Sequence, residues 1–141
     1  GGSQTSASLA QNDNPAIRAF FQAIDKPIRD YMAALGHGDD PLRARNTGDY
    51  RIQGSWSVRL RPNGFHADHI HSNGWLSSAC HIELPPAVQG EGREGWLRFG
   101  APPGLPSLAA EHHVQPQPGT LVLFPSYMWH GTQPFGGEAR V

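Results

Sequence analysis

Three histidines and an aspartate fall within six positions of "FHADHIHSNGW", residues 65–75. Imidazole and carboxylate are ordinary ligands for transition metals, so the spacing of these groups matters. His66 and Asp68 form a His-x-Asp pair; His69 and His71 form a His-x-His pair one step out of phase. Successive side chains on a strand point to opposite faces. On a regular strand His66, Asp68 and Ile70 would share one face, with Phe65, Ala67, His69 and His71 on the other. Such a strand cannot deliver both pairs to one ion, although either pair alone is geometrically competent. A third ligand must come from elsewhere, and His130 in "SYMWHGTQPFGGEAR" is the obvious source. It follows an apolar strand and precedes a turn, and Arg140 comes ten positions later. Imidazoles with open coordination positions suit non-haem Fe(II). An arginine nearby can grip a carboxylate with a two-pronged hydrogen bond. The order of these residues describes a site for ferrous iron and a dicarboxylate co-substrate.

The elements that must position these residues change character along the chain. The first eleven residues, "GGSQTSASLAQ", read as a disordered arm or a cloning scar, so residues 12–141 form the expected domain. Asn14-Pro15 suits a helix start, and Ile17, Phe20, Phe21 and Ile24 follow at helical spacing. Asp25 and Pro27 restart the pattern, and Ile28, Tyr31, Met32 and Leu35 form a second stripe that Gly36 ends. The expectation is two helices within residues 14–36, then a β core over 54–141. "GSWSVRLRPNG" has strand character, with Trp56, Val58 and Leu60 on one face. "GWLSSACHIELPP", "GWLRFGAPP" and the run Thr120–Phe124 are further strands, and "YMWHGTQPFGGEARV" carries a last one that stops abruptly at Val141. Short strands between turns over this length suggest a sandwich or jelly roll.

Composition agrees with one small β-rich domain. Gly 17 and Pro 13 are high for 141 residues, and only 16% of residues are charged. A net charge of −1 and the lack of a basic run argue against nucleic acid or an anionic membrane as partner. No apolar run is long enough to span a bilayer. A lone Cys80 excludes an internal disulfide framework and reads as a small buried thiol, with a reducing cytoplasm as the default compartment. His112 and His113 sit beside a turn and read as solvated; Trp75 and Trp129 read as packing residues.

Two segments, "GFHADHIHSNGWLSSACHIELPP" and "QPQPGTLVLFPSYMWHGTQPFGGEAR", resemble the Fe(II)/2-oxoglutarate-dependent oxygenase superfamily, and within it a bacterial and phage group. The resemblance covers roughly residues 54–141. It implies a mainly β fold, the double-stranded β-helix (a cupin-like jelly roll), with N-terminal α-helices. It places His69 at the first metal ligand, His71 where most of the superfamily carry Asp, and His130 at the last. Arg140 falls at the position that binds 2-oxoglutarate. The implied reaction couples oxidation of a small-molecule or peptide substrate by O2 to decarboxylation of 2-oxoglutarate to succinate. His66-Ala67-Asp68 with His130 stays open as the ordinary two-histidine, one-carboxylate set. Two other functions also stand: a cupin-like metal enzyme that needs no 2-oxoglutarate, and a jelly-roll binding module without catalysis. The family's last strand runs on past its arginine, so here it is expected to be truncated. His81 stands where the group often has an aromatic residue.

Overall fold

The computed structural model describes residues 1–105 and 107–136. Its elements are, in order, β1 (Gly2–Gln4), α1 (Pro15–Leu35), β2 (Val58–Leu60), β3 (Leu76–Cys80), β4 (Leu97–Phe99), β5 (His112–Val114), β6 (Leu121–Pro125) and β7 (His130–Thr132). The chain divides into two compact units, one of Gln4–Ser57 and one of Gly1–Ser3 with Val58–Val141. Instead of hanging loose as an arm, Gly2–Gln4 pairs with β2.

In the helical unit, α1 is one helix and not two. Pro27 lies inside it. A proline there removes one ladder hydrogen bond and crowds the preceding turn. The apolar stripe nevertheless runs across the proline without a break in phase: Ile24, Ile28 and Met32 are all buried. Burial of one continuous face therefore outweighs the local cost. Asn14 caps the start, its side chain accepting from the Ala16 N–H at 2.9 Å. At the other end Gly36 takes φ 65°, a conformation glycine adopts without steric penalty. The buried Asn46 amide then donates to the Met32 and Gly36 carbonyls at 2.8 and 3.0 Å. The Met32 carbonyl thereby gains a second donor beside the Gly36 N–H, and the Gly36 carbonyl, just past the last helical residue, is satisfied. Tyr50 donates its hydroxyl to Asp25 at 2.6 Å. Burial and that neighbouring carboxylate push the phenol up to about 12.

In the β unit, β3 and β6 pair antiparallel, with Ser78 opposite Leu123. A second sheet has the order β5-β4-β7, antiparallel throughout. Leu97 and Phe99 from β4 and Phe124 from β6 form its buried core, with Ala79, Val114, Val122 and Met128 packed around them. The Phe99 and Phe124 rings meet edge-on, 5.1 Å between centroids, a favoured aromatic geometry. The Pro-Asn-Gly turn forms as the sequence predicts: Asn63 takes φ 62° and Gly64 donates to the Arg61 carbonyl at 2.8 Å. Two strand expectations need correction. Trp56 lies outside β2 and is 46% exposed. The segment with His112 and His113, not expected to be a strand, forms β5; His112 is solvent-exposed, as expected, and His113 is half-buried. Among the described residues no helix is long and apolar enough to cross a membrane.

Asn46 yields a sharp test of the helix end. Asp is nearly isosteric with Asn but, when ionised, can only accept hydrogen bonds. Asn46→Asp should cost about 2–3 kcal/mol at neutral pH, more than Asn46→Ala. Urea denaturation of the two variants measures the difference, and part of the Asp penalty should vanish as pH falls and the carboxyl regains a proton.

Candidate metal centre

His130 opens β7, next to the buried Phe124. Its backbone exchanges two hydrogen bonds with His69: the His69 N–H donates to the His130 carbonyl at 3.0 Å, and the return bond is 3.1 Å. The pairing continues on both sides. Thr132 N–H donates to the His66 carbonyl at 3.0 Å, and His71 N–H to the Ser126 carbonyl at 2.9 Å. Residues 66–71 therefore run antiparallel to β7 and extend its sheet, although only the His69–His130 bridge is regular.

That register brings His69, His71 and His130 together. One ligand nitrogen from each lies within 4.8 Å of the others. The ring centroids are 4.9 Å apart for His69–His71, 4.2 Å for His69–His130 and 5.1 Å for His71–His130. Nitrogens bound at about 2.1 Å to one ion can stand no more than about 4.2 Å apart. Small ring rotations close the difference. In His69 and His130 the second nitrogen is committed to a backbone carbonyl. His69 Nδ1 lies 2.7 Å from the Ala67 carbonyl, and His130 Nδ1 lies 2.9 Å from the Met128 carbonyl. A carbonyl only accepts, so Nδ1 carries the proton in each and Nε2 offers its lone pair. Metal-binding histidines are generally oriented by such a bond. The residues present thus fit a divalent transition metal.

Asp68 is placed differently. Its carboxylate receives Arg98 Nε at 2.9 Å and an Arg98 terminal nitrogen at 2.5 Å, a two-pronged pair that is mostly buried. The clasp crosses the sheet over Gly131, which stands opposite Arg98 in the ladder. A Cβ on Gly131 would lie 2.6 Å from Asp68 Oδ1 and 2.8 Å from the His66 carbonyl. Glycine is required here for space. Arg98 and Gly131 are the two residues the sequence reading passed over. The available signal was one charge between two core positions in "WLRF" and a glycine directly after the ligand histidine.

Burial lowers the proton affinity of His66, His71, His81 and His130 below the ordinary imidazole value. Neighbouring histidines add to the effect in each case. The neutral imidazole is the form that binds a metal. His81 Nδ1 is buried with no hydrogen-bond partner among the described residues. Ser77 and the fully buried Ser126 share a 2.8 Å hydroxyl hydrogen bond beneath the His71 contact. Arg140, expected to bind the co-substrate, lies outside the described residues.

A family model described as "Putative 2OG-Fe(II) oxygenase" matches residues 54–141, more than half of the chain. The chain belongs to this 2OG-Fe(II) oxygenase family. The match coincides with the β unit and contains all three converging histidines. Membership in this oxygenase family implies Fe(II) and 2-oxoglutarate as cofactors and O2 as reactant. No curated protein and no solved structure matches the chain.

Gly131→Ala should destabilise the protein by about 1–3 kcal/mol, as overpacking of a tight interior does. It should also weaken binding of Fe(II) or a Co(II) probe, because residues 66–69 must move; denaturation and metal titration read the two effects. Metal-free protein should lose stability on acidification below about pH 6.5, where the unfolded chain takes up protons on imidazoles that the folded chain keeps neutral. Melting temperatures across pH 5 to 8 provide the check.

Proposed function

We propose that this chain is an Fe(II)- and 2-oxoglutarate-dependent dioxygenase that hydroxylates an amino-acid side chain or a small molecule. The convergence of three imidazoles from two distant segments carries the reading. In it His69, His71 and His130 hold the ferrous ion, and Arg140 clasps the far carboxylate of 2-oxoglutarate. The bound iron and keto acid supply O2 activation, with decarboxylation to succinate driving substrate oxidation. The Ala67 and Met128 carbonyls fix two of the rings. Phe124 packs against His130, 4.6 Å between ring centroids, and shields that side from water. Three neutral ligands leave the full charge of the ion to meet a dianionic co-substrate. The proposed fold is the double-stranded β-helix, with residues 54–141 as the catalytic part and the cytoplasm as its place of work.

Asp68 is a supporting residue in this reading, since its two oxygens are already taken by Arg98. The all-imidazole set also favours a second reading, a cupin-like metal enzyme without 2-oxoglutarate. Anaerobic addition of Fe(II) and then 2-oxoglutarate separates the two. A weak visible charge-transfer band should appear only when the keto acid joins the iron. His69→Ala, His71→Ala and His130→Ala should each abolish the band, while Asp68→Asn should keep it. Loss in Asp68→Asn with retention in His71→Ala would move the ligand set to His66 and Asp68. Arg140→Ala should leave Fe(II) bound and weaken 2-oxoglutarate about tenfold to a hundredfold. A Fe(II)-loaded protein that never shows the band would favour the cupin-like reading.

A further inference from the structure

The face of the β5-β4-β7 sheet turned away from the core carries a second constellation. Leu97 and Phe99 point into the core, so Arg98 points the other way. Arg98 stands opposite His113 on β5 and Gly131 on β7. Directly paired residues share a face, so His113 joins Arg98 on this back face. A cavity of about 680 Å³ opens there, lined by Asp68, Arg93, Arg98, His113, Leu105 and Leu108 among others. This volume falls within the range of small-molecule sites, about 300–1,000 Å³.

Its charges are unbalanced. Arg98 is committed to Asp68. Arg93 makes no ion pair among the described residues; it donates to His113 Nδ1 at 2.8 Å. Since Nδ1 accepts that bond, the ring proton sits on Nε2 and remains a donor. Burial, with Arg93 and Arg98 beside it, favours the neutral ring. The one carboxylate in the lining, Asp68, is held by Arg98, which leaves the Arg93 guanidinium and the His113 ring as the polar groups of the lining without a carboxylate partner among the described residues. Much of the remaining lining is apolar, and its Leu105 and Leu108 are 51% and 52% exposed.

We propose that this cavity binds a monocarboxylate with a short apolar chain, its carboxylate held by Arg93 and the His113 Nε2–H and its chain laid along Leu105 and Leu108. A dicarboxylate fits poorly, because its second charge would meet leucines while Arg98 is already occupied by Asp68. The site is separate from the histidine cluster, and the proposal does not rest on the oxygenase reading.

Calorimetric titration of the metal-free full chain tests this with four probes: hexanoate, adipate, hexanol and inorganic phosphate. Hexanoate should bind saturably, about tenfold tighter than each of the others. Arg93→Gln should weaken hexanoate about tenfold, and Leu108→Ser should weaken it several-fold. Circular dichroism checks that each variant is folded, and His113→Ala replaces Arg93→Gln if that variant is not. No saturable binding at millimolar hexanoate would overturn the proposal. So would equal affinity for hexanoate and phosphate, equal affinity for hexanoate and adipate, or binding unchanged in every folded variant.

Discussion

The reciprocal backbone pair between His69 and His130 is the constraint from which the rest of the site follows. Two N–H···O bonds, at 3.0 and 3.1 Å, fix the register of the histidine segment against β7. A slip of one residue would turn every side chain of that segment to the opposite face. With the register set, His69 and His130 stand side by side, His71 completes the cluster, and Asp68 turns towards Arg98. The question posed by the two interleaved pairs is thus a question of register, and backbone hydrogen bonds answer it for where each side chain goes.

Both faces of the extended sheet take part in holding that register. On the inner face Phe99, Phe124 and His130 form a continuous aromatic contact. On the outer face the Arg98–Asp68 clasp ties the histidine segment to β4 across a glycine. A mostly buried ion pair adds little to net stability relative to apolar packing, but breaking it leaves an uncompensated charge and is costly. Its use here is to make alternative placements of Asp68 unfavourable.

Much of this was legible in the sequence because it depends on local signals. Strand alternation separated the two pairs of candidate ligands, and β3, β4, β6 and β7 lie where apolar runs and turn residues put them. The Pro-Asn-Gly turn and the cap at Asn14-Pro15 announce themselves by residue type. Features set by distant partners were less legible. Pro27 reads locally as a break, yet a buried face that stays in phase carries the helix through it. Residues 1–11 read as an arm because a polar, Gly- and Ser-rich segment has no pattern of its own; the pairing of its first residues with β2 is supplied by the partner strand. β5 is short, and its two histidines carry no apolar alternation, so only its neighbour β4 reveals it. Arg98 and Gly131 acquire meaning only once Asp68 is placed between them.

His66 and Thr132 are joined twice, through a backbone bond and through the Thr132 hydroxyl at 2.8 Å, although they lie 66 positions apart in the chain. Contacts of such long range form only after the intervening loop has closed. During synthesis His69 and His71 emerge before their partner, which follows about sixty residues later with β7. A nascent chain therefore presents two imidazoles and no enclosed pocket. The complete three-imidazole cluster exists only once β7 has paired with residues 66–71, so tight metal binding and docking of β7 are coupled.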